Sequence, residues 1–224
     1  MKTSTINIPA GANYLSDVMD ELPVNCLFNK GVTGCGGTTI AFTNNVATVI
    51  CVPYVSLAVN KSIQSLTNKE LYPHEVFPVH GDVTTREFTK YLSTASVPKV
   101  VVTYDSLPRV MAEINPSEYH ILIDEYHCLF THFTFRKKAV LAVLNNYKAF
   151  ESFTFMTATS VYQEFTLEEL EDVDVVNACW EESQPVNIKI VQSKNGIVKT
   201  IKNHIDEVLK GYLCGHYYFF VKLS

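Results

Sequence analysis

The sequence predicts an α/β fold in three layers, with a mostly parallel central sheet covered by helices on both faces. Short runs rich in β-branched and aromatic residues alternate along the chain with segments of helical periodicity. These runs are almost continuously apolar, which is typical of strands buried on both faces. The 224 residues are 47% hydrophobic and 18% charged, which supplies a large core and excludes a disordered chain.

Six strands and three helices follow from this pattern. The strands are predicted at residues 26–28, 47–52, 76–79, 99–103, 120–123 and 152–156. The helices are predicted at residues 55–66, 84–95 and 135–147, and the first carries apolar residues at Val55, Leu57, Val59, Ile63 and Leu66. Because ligands bind beyond the carboxyl ends of parallel strands, the loops after the strands are where chemistry is expected.

The last third of the chain is more varied. Residues 166–174 are acidic and predict a solvated helix or loop, and residues 181–185 predict a linker. A strand at 187–191, a helix at 197–209 and an aromatic strand at 216–221 are predicted after it.

Charge and cysteine content exclude several classes of protein. The net charge of −5 and the pI of about 5.8 exclude a chain that is basic throughout, although they allow a local basic face. The six cysteines contain no C-x-x-C pair, so no zinc site is predicted and free thiols in a reducing compartment are expected. Neither a signal peptide nor a membrane span is predicted, which favours a cytoplasmic location.

A glycine-rich loop follows the first predicted strand. It reads K-G-V-T-G-C-G-G-T-T from Lys30, and its spacing fits the phosphate-binding pattern G-x-x-x-x-G-K-[ST] except that glycine replaces the lysine. Such glycines let backbone N–H groups wrap a phosphate, and the threonine hydroxyl would be offered to Mg²⁺. The predicted nucleotide-binding residues are Gly31, Thr33, Gly34, Cys35, Gly36, Gly37, Thr38 and Thr39. The alternative is a tight turn without a ligand.

The missing lysine removes a positive charge from the β- and γ-phosphates. Lys30 is a candidate to supply that charge from the other side of the loop, and a Gly37→Lys substitution is expected to strengthen nucleotide binding. Cys35, within the loop and near a helix N-terminus, is predicted to have a lowered pKa and to be alkylated faster than Cys51.

An acidic box follows the predicted strand at 120–123. It consists of Asp124, Glu125, Tyr126 and His127. In a phosphate-binding fold such an aspartate orients Mg²⁺ and the glutamate polarises an attacking water, so Asp124 and Thr38 are predicted as metal ligands within about 8 Å of each other. The alternative is a pair of solvated acids opening a helix, where the dipole favours them.

Taken together, the motifs resemble the first RecA-like domain of a superfamily 2 helicase of the DEAD/DEAH (DExH) group. Residues 31–38 resemble motif I and residues 124–127 the DExH box, motif II. Residues 53–58 are similar to motif Ia, residues 79–81 to the V-H-G tripeptide before motif Ib, and residues 103–107 to the T-Y-x-S-L form of motif Ib. Residues 157–159 match the T-A-T form of motif III.

This resemblance implies a RecA-like P-loop NTPase domain over residues 1–182 that uses ATP and Mg²⁺. It assigns catalysis to Asp124, Glu125 and His127, and coupling between sites to Thr157, Ala158 and Thr159. The nucleic-acid-binding residues that it implies are Pro53, Lys61, Thr103, Tyr104, Ser106 and Arg109. The implied partners are a DNA or RNA strand and a second RecA-like domain, in cis or in trans, with no membrane.

Two departures from the family pattern lead to an alternative function. Gly37 replaces the lysine of motif I, and residues 183–224 are interpreted as a linker and the opening helix and strand of a truncated second RecA-like domain. Low or absent activity of the chain alone is therefore expected, as is an origin in a phage or mobile element. The alternative is a catalytically dead, helicase-like binding or assembly module. An unrelated P-loop or Rossmann enzyme would show an acidic residue about 20 positions after the loop, and none is convincing.

Overall fold

The computed structural model describes residues 2–159, 161, 167–182, 199, 201–203 and 205–206. The chain divides into two compact units, Met1–Ser183 and Gln184–Ser224, and the fold given below belongs to the first. The strands predicted at 187–191 and 216–221 lie outside the described residues, as do residues 183–185 of the predicted linker. Within the helix predicted at 197–209, the described residues are helical.

The described residues form one sheet of eight strands, all of them parallel. The strands are β1 (Thr3–Ile8), β2 (Cys26–Asn29), β3 (Thr48–Val52), β4 (Val76–Val79), β5 (Lys99–Thr103), β6 (His120–Asp124), β7 (Ser152–Thr157) and β8 (Asp174–Trp180). Their order across the sheet is β1-β8-β2-β7-β6-β3-β5-β4. The predicted α/β class and the six predicted strands are confirmed, with ends that differ by at most one residue.

Strands β1 and β8 were not predicted from the sequence. They form one side of the sheet, where β1 pairs with β8 and β8 also pairs with β2. Both are largely exposed or half-buried, so they lack the continuous apolar run that marks the central strands. The acidic segment before β8 forms a short 3-10 turn at Glu168–Leu170, whose Leu170 is fully buried.

Six α-helices connect the described strands. They are α1 (Gly37–Thr43), α2 (Val55–Thr67), α3 (Thr85–Thr94), α4 (Leu107–Met111), α5 (His127–His132) and α6 (Lys137–Leu144). Helix α3 begins with a capping box in which the backbone N–H of Glu87 donates to Thr84 Oγ1 and that of Thr84 donates to the Glu87 carboxylate. No helix among the described residues has both the length and the apolar character that a bilayer crossing requires.

Two hydrophobic clusters form the core, one on each face of the sheet. Alternation along β6 divides its residues between them: Ile121 and Ile123 pack into one cluster and Leu122 into the other. The cluster that contains Leu122 also holds Ile40 and Phe42 of α1. Each central strand is therefore covered on both sides, and its carboxyl end is the part left for a site.

Helix α2 packs on the sheet through small and polar residues. Its buried residues are Ala58, Ser62 and Ser65, whereas the apolar Ile63 and Leu66 are each 50% exposed. Ser65 Oγ accepts a hydrogen bond from the backbone of Val76 at the start of β4, which fixes this face against the sheet. The helix is thus where the sequence predicts it, but the side that it buries is not its most apolar one.

Candidate nucleotide-binding site

Three of the predicted motifs meet at one edge of the sheet because β2, β7 and β6 are neighbours. The glycine-rich loop follows β2, and β6 and β7 end at Asp124 and Thr157. The Lys30 backbone N–H donates to the carbonyl of Thr157 over 2.9 Å, which links the loop directly to motif III. The predicted convergence of these segments is confirmed.

The glycine-rich loop takes a conformation that requires its glycines. Gly31, Gly34 and Gly36 have φ values of +75°, +72° and +81°, in the left-handed region that side chains disfavour. At its base the loop is held by β8, because Trp180 Nε1 donates to the carbonyl of Lys30 over 2.8 Å. At its tip Gly34 is exposed, and a Cβ added there would meet nothing within 4 Å. The backbone of the tip is therefore open to a ligand.

Cys35, two residues before the start of α1, packs inward. Cys35 is only 2% exposed, and its carbonyl accepts a hydrogen bond from the backbone of Leu15. Burial raises the pKa of the Cys35 thiol and outweighs the lowering effects of the Lys30 charge and of the Gly37 backbone. The prediction of a lowered pKa is wrong, because the loop buries this side chain rather than presenting it.

Two lysines place positive charge beside the acidic box. Lys61 Nζ donates to Thr38 Oγ1 over 2.9 Å and lies 3.1 Å from Asp124 Oδ2. Lys30 Nζ lies 3.9 Å from Asp124 Oδ1 and 3.7 Å from Glu125 Oε1. Lys30 and Asp124 are both buried, so this ion pair is shielded from water. Two cations therefore face two carboxylates where the sequence lacks the motif I lysine.

The predicted metal ligands lie close together but share a cation. Because one ammonium contacts both, Thr38 Oγ1 and Asp124 Oδ2 are no more than about 6 Å apart, as the prediction requires. A metal ion bound to both oxygens would lie against the Lys61 ammonium, so the residues as arranged do not fit Mg²⁺. Separately, no group of three or more His, Cys, Asp or Glu side chains among the described residues is placed to hold a metal ion by itself.

The remaining motif II and III residues form a connected chain of contacts. Glu125 has a φ of +54°, which is strained for a residue with a side chain, and its Oε2 lies 3.3 Å from His127 Nδ1. The same nitrogen is 2.9 Å from Thr157 Oγ1, which in turn accepts a hydrogen bond from the backbone of Thr159. Ala158 lies between them, half-buried, in the bend after β7. The predicted catalytic and coupling residues are thus brought together.

Thr33 is exposed at the loop tip, and Thr39 is half-buried in the first turn of α1. The carbonyl of Thr39 accepts a hydrogen bond from Thr43 Oγ1 within the helix. The predicted nucleotide-binding residues therefore all lie in the loop or in the first turn of α1.

Of the six predicted nucleic-acid-binding residues, three are buried and three are half-buried. Pro53, Thr103 and Tyr104 are buried, and the Tyr104 hydroxyl donates to the carbonyl of Asp124 over 3.0 Å. Because these three side chains are buried, they offer little surface to a ligand, and their assignment to nucleic-acid binding stays a prediction. Lys61, predicted for the same role, lies in the candidate phosphate site instead.

Ser106 and Arg109 are half-buried, and each has an internal partner. Ser106 Oγ accepts a hydrogen bond from Thr103 Oγ1, and Arg109 donates to the carbonyl of Val83. These contacts give both residues a structural role in the described fold.

The structure also shows a cluster made by Tyr54, Asp105, His132, Phe135 and Arg136, of which only Tyr54 and Asp105 lie within the matched motifs. Arg136 donates to the carbonyl of Pro53 over 2.6 Å and pairs with Asp105, while the Tyr54 hydroxyl lies 2.9 Å from His132 Nε2. Tyr54 and Phe135 are 49% and 68% exposed. The available sequence signal was an aromatic residue within motif Ia and a basic run at Arg136.

No protein-family profile and no curated protein sequence matches the chain, but solved structures do. The DUF1998 helicase MrfA bound to DNA and AMPPNP is 16% identical, with a TM-score of 0.52 over 83% of this chain and 30% of its own. Mss116p bound to ssRNA and AMP-PNP is 11% identical, with a TM-score of 0.51 over 71% of this chain and 37% of its own. The Pyrococcus furiosus Hef helicase domain is 19% identical, with a TM-score of 0.49 over 71% and 35%.

This chain spans about a third of the length of each of these three proteins. At such identities the likeness concerns the fold, and the all-parallel sheet agrees with it. The chain therefore has the RecA-like α/β fold of DEAD/DEAH-type helicase domains, as the motifs predicted.

Proposed function

We propose that this RecA-like domain binds a nucleoside triphosphate of the ATP class, as the nucleotide-binding module of a DEAD/DEAH-type helicase or translocase. The observation that carries the proposal is the convergence of the open glycine-rich loop with Lys30, Lys61, Thr38 and Asp124. The loop offers backbone donors, and the two lysines offer charge that a triphosphate would complement. That MrfA and Mss116p are found with AMPPNP supports the same assignment.

We further propose a DNA or RNA strand and a second RecA-like domain, in cis or in trans, as partners. The exposed rings of Tyr54 and Phe135 offer faces on which bases can stack, and Arg136 adds positive charge beside them. MrfA bound to DNA and Mss116p bound to ssRNA support a nucleic-acid partner. In this proposal the second domain supplies the arginine that assists phosphoryl transfer in the family.

The nucleotide proposal is tested by equilibrium titration of the full chain with a fluorescent non-hydrolysable ATP analogue. Lys30→Met is expected to weaken binding at least tenfold, because it removes one of the two cations beside Asp124 and Glu125. Lys90→Met is the matched control, since Lys90 is exposed on α3. Circular dichroism of both variants checks that the fold is retained. No saturable binding by the unmodified chain would refute the proposal.

The second candidate is a module that binds nucleotide without hydrolysing it. Gly37 favours this candidate, because the position that carries a lysine in motif I has no side chain here. Phosphate release from ATP by the full chain would then equal that of Glu125→Gln, with or without nucleic acid. A rate that falls clearly in Glu125→Gln would favour a working hydrolase, since Glu125 is the residue assigned to polarise water.

A further inference from the structure

Lys61 occupies the position that the fold family gives to a metal ion. Its ammonium lies between Thr38 Oγ1, at 2.9 Å, and Asp124 Oδ2, at 3.1 Å. These two oxygens are the pair that a P-loop NTPase uses to hold Mg²⁺ beside the phosphates. A side-chain cation of this chain therefore already contacts both groups that would recruit the metal.

The charges already present at the site leave little net negative charge to attract a divalent ion. Asp124 and Glu125 carry two negative charges. The Lys30 ammonium lies within 4 Å of both carboxylates, and the Lys61 ammonium lies within 4 Å of Asp124. Both oxygens of Asp124 are engaged, one by each lysine. An added divalent cation would face two like charges at close range and would have to displace at least one of them.

The surrounding fold sets the position of the Lys61 side chain, which does not rotate freely at the surface. It lies on the sheet-facing side of α2, between the buried residues Ala58 and Ser62. Its side chain is 15% exposed, and its ammonium lies 6.0 Å from the centre of the Phe42 ring, which limits the directions it can take. Helix α2 therefore holds the Lys61 ammonium against Thr38 and Asp124.

One donor of this ammonium remains for a ligand. A lysine ammonium has three N–H groups, and its hydrogen-bonding and ionic partners among the described residues are Thr38 and Asp124. Thr38 lies in the first turn of α1, directly after the glycine-rich loop, and the tip of that loop is exposed. A phosphate held by this loop would lie next to Thr38, which the Lys61 ammonium contacts.

We propose that the Lys61 ammonium replaces the divalent metal at this site, so that the chain binds the phosphates of a nucleoside triphosphate without Mg²⁺. This inference rests on the proposed function, because it assumes that the loop binds such a ligand. It accounts for two differences from the motif pattern of the family. Glycine replaces the lysine of motif I, and a lysine from α2 contacts Thr38 and Asp124, the two predicted metal ligands.

The experiment measures the dissociation constant of a fluorescent non-hydrolysable ATP analogue with the full chain, in Mg²⁺ and in EDTA. For the unmodified chain, the dissociation constants in the two buffers are expected to differ by less than about threefold. Lys61→Met is expected to bind at least tenfold more weakly in EDTA and to recover part of the loss in Mg²⁺, because Thr38 and Asp124 become free to hold the metal. Lys61→Arg keeps the charge and is expected to stay independent of Mg²⁺.

Lys90→Met is the matched control and should behave as the unmodified chain, and thermal melts check that all variants fold. A requirement for Mg²⁺ in the unmodified chain that Lys61→Met leaves unchanged would overturn the inference while the proposed function stands. Absence of binding in both buffers, by every variant, would overturn both. As a measurement independent of nucleotide, electron paramagnetic resonance should show Mn²⁺ bound to Lys61→Met more tightly than to the unmodified chain.

Discussion

Met156 fills the space into which a side chain at Gly37 would have to extend. A Cβ built on Gly37 would lie 2.6 Å from Met156 Sδ, which is closer than carbon and sulfur can approach, and 3.2 Å from Met156 Cε. Met156 is fully buried at the end of β7 and packs in the core cluster beside α1. The glycine in place of the motif I lysine is thus matched by a bulky residue on the neighbouring strand.

This contact predicts that Gly37→Ala destabilises the fold by about 1–3 kcal/mol, because a packed core resists added volume. The cost should largely disappear in a Met156→Ala background, and a double-mutant cycle from urea unfolding would measure that coupling. The expectation that Gly37→Lys strengthens nucleotide binding stays a prediction, and the structure adds that Met156 would have to shift to admit the new side chain. Equal costs of Gly37→Ala in both backgrounds would contradict this account.

A second prediction concerns the stability of the protein in acid. Burial, assisted by the charge of Lys99, lowers the pKa of His120 to about 4. Its Nδ1 lies 2.8 Å from Ser152 Oγ, and its Nε2 is buried without a partner among the described residues. An unfolded histidine titrates near pH 6.5, so between pH 6.5 and 4 the unfolded chain binds the extra proton and stability falls as the pH falls.

From pH 7.5 to pH 5 this one group is expected to lower the free energy of unfolding by about 2 kcal/mol. His120→Asn keeps a donor near Ser152 and removes the titration, so its stability should decline less over the same range. Urea unfolding followed by circular dichroism at the two pH values measures the difference. An identical decline in both proteins would show that other groups cause it.

A third prediction concerns Lys99, which is fully buried at the start of β5. Its ammonium donates to the carbonyls of Ala41 and Val46 and to the Asn44 side chain, over 2.6–2.7 Å. Lys99→Met would leave these acceptors without their donor and is expected to lower stability by about 2 kcal/mol or more. The exposed Lys90→Met should change stability by less than about 0.5 kcal/mol in the same unfolding assay.

A fourth prediction orders the cysteines by their reactivity. Of the five described cysteines, Cys179 is exposed and the other four are buried. Burial raises the pKa of Cys35, that of Cys26 to about 12 and that of Cys128 to about 11, and it raises the pKa of Cys51 as well. Among these five cysteines, iodoacetamide should therefore modify Cys179 first in the native protein.

The buried cysteines should react only when the chain is unfolded in urea. Mass spectrometry of the peptides after timed labelling measures the order, and Cys179→Ser should leave the native protein without this fast site. Rapid modification of Cys35 in the native state would show that the loop opens far more than the structure indicates.

Much of the fold could be predicted because its central strands are buried on both faces and therefore carry an unbroken apolar signal. Strand β5, at Lys99–Thr103, was predicted to the residue for this reason. Strand β1, at Thr3–Ile8, was missed because four of its six residues are exposed and only Ile8 is buried. Edge strands carry a weaker pattern because one of their sides has no neighbouring strand to cover it.

For the site, the sequence by itself determined which motifs meet. The glycine-rich loop and Asp124 follow strands of one parallel sheet, and the carboxyl ends of such strands lie at a common edge. Only the tertiary structure decided which side chains fill that edge. The rotation of α2 about its axis turns Lys61 inward and Ile63 outward, and it depends on how closely small residues let the helix approach the sheet.

Tertiary packing also decided the surroundings of Gly37 and Tyr104. Met156 fills the space beside Gly37, and Tyr104 is buried beneath Asp124. Both arrangements result from packing between segments that are far apart in the chain. Local patterns record the periodicity of one element at a time. Which atoms of two elements touch is settled by the complementary shapes of all the surfaces packed together, and that information is distributed over the whole sequence.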